Sequence, residues 1–132
     1  MLAYLFTPKA IHLIDLLKKA ADRGVEVTVV VNHLKSQDQT VQDELASLAA
    51  DKKHVRVVSF GDSTKRQLHA KVVVADRKEA ILGSANFTWG GMYGNYEVGM
   101  LVSGESAWEL AGMVDSFAKI HQESDVKRGI SG

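Results

Sequence analysis

The chain has 132 residues, no cysteine, 45% apolar and 24% charged residues, and a formal net charge of zero. That length suits one domain with one core, and the composition is ordinary for a globular protein. Zero net charge removes a global field for steering a polyanion, and the missing cysteines remove disulfides and thiolate metal sites.

Met1 to Phe6 is apolar but short, with no positive segment before it. It reads as a strand from Leu2 rather than a secretory signal, so the expected location is cytoplasmic. No run approaches the roughly 18 apolar residues of a membrane span. Thr7-Pro8 opens a predicted helix, threonine as cap and proline at the first position. Ile11, Ile14, Leu17 and Ala21 mark its buried face, widened by Leu13, Leu16 and Ala20, and Arg23-Gly24 ends it. Val25 to Val31 is a β-branched run and reads as a buried strand. Asn32 to Gln39 is polar and reads as loop. A helix over about Thr40 to Ala50 turns Val41, Leu45, Leu48 and Ala49 inward.

Val55 to Phe60 is the next predicted strand, and Gly61 to Gln67 a polar loop. Leu68 to Ala75 and Ala80 to Leu82 read as strands joined by the tight turn Asp76 to Glu79. Ser84 to Asn95 is a glycine-rich loop and Tyr96 to Val102 a further strand. A closing helix from Ser106 to about Gln122 offers Trp108, Ala111, Val114 or Met113, Phe117 and Ile120 to the core, and the tail from Glu123 reads as frayed. Strands and helices alternate first and a strand-rich half follows. The expected class is α/β: a sandwich with a central mixed β-sheet flanked by helices, in a single domain over 1–132.

His69, Lys71 and Asp76 form His-x-Lys-x-x-x-x-Asp, and Gly83-Ser84-Ala85-Asn86 follows. Six residue types at fixed offsets, each at about one in twenty, give about 10⁻⁸ per start position. His69 and Lys71 are two apart in an extended segment, so their side chains leave one face. A phosphate satisfies both: the ammonium neutralises its oxygens, and Ser84 and Asn86 can donate to them. An unprotonated imidazole can attack phosphorus, and histidine in unperturbed peptides titrates at roughly 6.5. A carboxylate on the other ring nitrogen would fix the tautomer, and Glu97 is the candidate. Asp76 sits at a strand end, suited to bracing a loop. No carboxylate pair has obvious magnesium geometry, so charge compensation is expected from side chains, with no metal and no cofactor.

The motif resembles that of the phospholipase D superfamily, whose mark is this His-Lys-Asp pattern followed by Gly-Ser-x-Asn. Asn95-Tyr96-Glu97, Tyr4 to Thr7 and Arg23 to Val27 resemble its small bacterial endonucleases, so the likeness covers roughly residues 2 to 120. The resemblance implies an α/β sandwich around a mixed sheet and a phosphodiesterase active without a metal ion. It implies catalytic roles for His69, Lys71 and Asp76. It also implies two copies of the motif per site, one histidine attacking and the other protonating the leaving oxygen. This chain has one motif, so a homodimer is expected. The resemblance further implies one strand and one helix ahead of Leu2, so the chain is expected to lack them and to leave a sheet edge or apolar face uncovered.

Taken singly, each residue has a plainer reading. His69 would be a buried histidine bonded to backbone, Lys71 a snorkelling lysine, and Ser84 and Asn86 turn residues. Glu97 would be solvated. His12, His33, His54 and His121 have no partners in sequence and read as structural or exposed. Trp89 and Tyr93 fit either base stacking or packing on a dimer partner. Among the basic pairs, Lys65-Arg66 is nearest the motif and is the candidate contact to a nucleic-acid backbone. The leading function is a nuclease acting on DNA or RNA. The alternatives are a phospholipase or phosphatidyltransferase, or a non-catalytic fragment or interaction domain of a larger nuclease system.

Overall fold

The computed structural model describes residues 1–8, 12–50, 52–61, 66–88 and 90–127, with the side chains of 120–127 excepted. One mixed sheet organises it. The strands are β1 (Leu2–Ala3), β2 (Val27–Asn32), β3 (Val55–Phe60), β4 (Val72–Ala75), β5 (Glu79–Gly83) and β6 (Gly99–Ser103), in the spatial order β3-β2-β1-β4-β5-β6. β1, β2 and β3 are parallel, with crossovers through the helices α1 (His12–Asp22) and α2 (Gln39–Ala49). β4, β5 and β6 form an antiparallel meander joined to β1 at Leu2↔Val72. The long helix α3 (Glu105–Lys127) closes the chain.

Alternation along β2 builds two cores. Val27, Val29 and Val31 face Ile14 of α1 and Val41, Leu45 and Leu48 of α2. Val30 faces the other way, with Leu2, Val58, Val72 and the α3 residues Val114 and Ala118. Strands covered on both faces read as continuous β-branched runs, which is why β2 is legible in the sequence.

Several expectations need correction. Leu16 is 57% exposed and Trp108 is 63% exposed. The inward stripe of α3 is Ala107, Ala111, Val114 and Ala118, and this 3.6-residue face leaves Trp108 on the flank. The tail does not fray at Glu123, since the helix runs to Lys127. Its residues contain no glycine or proline before Gly129, so nothing local stops the helix. Asn32 to Gln39 is not plain loop: Leu34–Ser36 is a 3₁₀ turn, and Asp38 caps α2 through its carboxylate on the Thr40 amide at 2.8 Å. The turn after β4 is tighter than expected, with Asp76 and Arg77 both at φ 56°. Two consecutive left-handed residues match the right-handed twist of the flanking strands. The first turn expected after Thr7-Pro8, including Ile11, falls on residues 9–11, outside the described ones; α1 is described from His12.

Candidate active site

Topology gathers most of the candidate residues at one edge of the sheet. β1, β2 and β3 run toward that edge, while the antiparallel β4 and β6 start from it and β5 ends at it. Tyr4, His69, Lys71, Ser84 and Glu97 therefore lie just beyond strand ends on the same side, where Asn32 ends β2. This is the side on which open α/β sheets commonly bind ligands.

His69 and Lys71 were expected within a strand, but the ladder begins only at Val72. β1 offers two residues, so β4 has no longer partner on that side. The segment 68–71 is held otherwise: the Leu68 amide donates to Asn32 Oδ1 at 2.8 Å, and the Lys71 carbonyl accepts from the Gly83 amide at 3.4 Å. The alternation survives, and Lys71 Nζ lies 2.8 Å from His69 Nδ1. Tyr4 forms the floor of this pair. Its ring centroid is 4.3 Å from that of His69, and Lys71 Nζ is 5.4 Å from its centre. An ammonium over an aromatic face gains from the ring quadrupole.

Lys71 is only 9% exposed, while His69 is open to solvent. Burial pushes the Lys71 ammonium below the ordinary lysine value, and the Glu97 carboxylate pushes it back up. No carboxylate among the described residues lies within ion-pairing distance of Lys71. A desolvated cation without a paired anion, beside an accessible imidazole, is suited to an anionic ligand.

Ser84 is pinned across the end of the β5–β6 pair. Its amide donates to the Val98 carbonyl at 3.0 Å, and its hydroxyl oxygen accepts from the Val98 amide at 3.1 Å. The hydroxyl also donates to Glu97 Oε2, and Asn95 Nδ2 donates to Glu97 Oε1 at 3.4 Å. Glu97 was expected on the imidazole; it is bonded instead to Ser84 and Asn95. The clasp between Ser84 and Val98 brings the hydroxyl to the carboxylate first. Asn86 is half-buried beneath the π-helical turn Gly90–Gly94, and its Oδ1 has no partner. A side-chain carbon on Gly91 would collide with the Asn86 backbone, which is the reason for glycine there.

Asp76 is not brought to this cluster. It lies in the β4–β5 turn, five extended residues from Lys71, about 16 Å away along the strand. Arg66 is exposed near the cluster in sequence, whereas Lys65 and Trp89 lie outside the described residues. Of the other basic pairs, Lys52 is bonded to Asp22 at 2.9 Å and Arg77 to Asp115 at 2.6 Å, so both have structural partners. No function for Tyr4, Asn32 or Gln37 is legible in the sequence, since an aromatic in a strand and two amides in a polar stretch carry no periodic signal.

Gly83 of the Gly-Ser-x-Asn segment is a packing requirement. An added side-chain carbon would land on the Val98 carbonyl and within 2.7 Å of Gly99 Cα. Gly83→Ala is expected to lower stability by about 1–3 kcal/mol, read from the urea midpoint. An unchanged midpoint would show that β5 and β6 can separate freely here.

A family model described as "Cardiolipin synthase, PLD-like domain" matches residues 1–120. The DISARM protein DrmC of Bacillus paralicheniformis is 31% identical over 94 residues, which are 71% of this chain and 39% of that protein. The chain thus spans well under half the length of this curated relative. Among solved structures, NucT from Helicobacter pylori superposes with a TM-score of 0.70 at 18% identity, over 89% of this chain and 76% of that one. Nuc from Salmonella typhimurium, described as a phospholipase D family member, gives 0.69 at 23% identity, over 89% and 74%. Both share the mixed sheet with flanking helices.

Proposed function

Since this chain belongs to the phospholipase D-like family whose model covers residues 1–120, we propose that it is a metal-independent phosphodiesterase that cleaves nucleic acid, DNA or RNA, at a site shared by two copies. The observation that carries this reading is the buried Lys71 ammonium, with no paired carboxylate among the described residues, 2.8 Å from the exposed imidazole of His69. The nuclease part of the proposal follows the resemblance of the sequence motifs to small bacterial endonucleases, together with the structural likeness to NucT and to Nuc, the latter described as a phospholipase D family member.

In the proposed reaction a phosphodiester binds with its anionic oxygens on Lys71, within reach of Ser84 and Asn86. The phosphate competes for the ammonium and releases His69 Nδ1, which can then carry the ring proton. The Nε2 lone pair forms an N–P bond as the P–O bond to the leaving oxygen breaks. That oxygen takes a proton from His69 of the second copy. Water then attacks the phosphohistidine, gives its proton to the second imidazole, and the N–P bond breaks. A positioned acid contributes about 10²–10⁴-fold, and among the histidines of one chain only His69 stands in the motif. Tyr93, Tyr96 and Val98 are exposed beside the cluster and offer apolar surface for the contact between copies.

Two results are expected. Cleavage persists in excess EDTA, because Lys71, Ser84 and Asn86 supply the stabilisation that a metal ion provides elsewhere. Loss on chelation, restored by magnesium or zinc, contradicts this. Light scattering gives a dimer, and specific activity falls on dilution. A strictly monomeric protein with full activity contradicts the shared site. The family model's description keeps phosphatidyl transfer as the second reading. A panel of plasmid, single-stranded DNA, RNA and phosphatidylcholine, each with chelator, separates the two. Turnover of the lipid alone would overturn the nuclease assignment, and no turnover of any substrate would favour a non-catalytic domain.

A further inference from the structure

Behind the His69–Lys71 pair lie two buried amides that its chemistry does not use. Asn32 and Gln37 are each 5% exposed. Gln37 Nε2 donates to the Tyr4 carbonyl at 3.0 Å and to the Asn32 carbonyl at 2.7 Å, while its Oε1 accepts from the Phe6 amide at 3.2 Å. Gln37 thus grips the segment after β1 on both sides of Leu5. Asn32 Oδ1 accepts from the Leu68 amide, the residue before His69. α2 in turn holds Gln37, since Gln42 Nε2 donates to its carbonyl at 2.8 Å.

Two routes therefore converge on one imidazole. One runs from Gln37 through the Tyr4 backbone to the Tyr4 ring, which lies against His69. The other runs from Asn32 through Leu68 to the His69 backbone. Neither segment has a full ladder to hold it: β1 ends at Ala3 and β4 starts at Val72. Beyond Ala3 the first segment has a bridge from Phe6 to Phe87, and the amides supply hydrogen bonds that a full ladder would otherwise provide. We infer that Gln37 and Asn32 are positioning residues for the His69–Lys71 pair, setting the imidazole through the Tyr4 ring and the Leu68 amide. The inference rests on the proposed phosphodiester chemistry of that pair.

The test compares the full chain with Gln37→Leu, Asn32→Leu and Asn32→Asp, with Tyr4→Leu as a reference lacking the ring. Thermal melts select folded variants. The readouts are kcat and KM on a short oligonucleotide, and the proton signals of the His69 imidazole, identified by their loss in His69→Asn. Gln37→Leu is expected to move those signals toward their positions in Tyr4→Leu. The leucine variants are expected to lose kcat by on the order of 10²-fold with KM changed less than about twofold. Asn32→Asp keeps an acceptor for the Leu68 amide and is expected to recover to within about threefold of wild type. A folded leucine variant with wild-type ring signals and wild-type kcat overturns the inference, as does an aspartate variant no better than leucine. If the leucine variants do not fold, the shortened Gln37→Asn and Asn32→Ser are read in the same way. Ring signals that shift in a wild-type background inactive on every substrate would keep the positioning role and sink the phosphodiesterase reading.

Discussion

His69→Asn is expected to reduce turnover by at least about 10³-fold while the protein still folds. His69 is exposed, and among the described residues its ring bonds to Lys71 and lies against the Tyr4 ring. Asparagine removes little buried surface, so stability is expected to change little. In the proposed shared site the substitution removes both the nucleophile and the proton donor. Mixing His69→Asn with wild-type chain is therefore expected to give hybrid dimers with one imidazole and little activity. Turnover near wild type in the variant alone, with an unchanged melt, would remove the nucleophile assignment.

Lys71→Ala is the second large effect, with a kcat loss of about 10²–10³-fold. The ammonium is desolvated and fixed between His69 and Tyr4, so it needs little reorganisation as charge builds on the phosphate. Loss of affinity alone, with the maximal rate intact, would contradict this role. The pH profile gives an independent check. The active form is the protonated one, and it is lost as pH rises through the value in the folded protein. Burial sets that value below the ordinary 10.5, so the alkaline limb is expected below the range of an exposed lysine. Glu97 raises the Lys71 value, and Glu97→Gln is expected to move the limb to still lower pH. A limb that stays in place or moves upward in Glu97→Gln would show that Lys71 is not the titrating group.

Much of the fold is legible in the sequence because local pattern and global packing agree. Val55 to Phe60 is a strand with the expected ends, and Val41, Leu45 and Leu48 point inward as their spacing predicts. Part of the candidate set meets in space: His69, Lys71, Ser84 and Glu97 reach one edge although 28 positions separate the first from the last. What is not legible depends on partners distant in sequence. The late start of the β4 ladder follows from the two-residue length of β1. The placement of Glu97 on Ser84 follows from the register of β5 on β6. Asn32 and Gln37 read as loop residues because polarity signals solvent until a buried backbone needs their amides. Asp76 shares the motif spacing but not the site, because five extended residues carry it to the opposite end of β4.

The most direct measurement is to trap the covalent intermediate. A fluorescently labelled oligonucleotide is mixed with the chain in chelator, quenched at early times under alkaline denaturing conditions, digested, and read by mass spectrometry. The account predicts a nucleotide adduct on the peptide carrying His69, lost on acid treatment and absent in His69→Asn. Cleavage without any adduct on His69, or with the adduct on another residue, would contradict it.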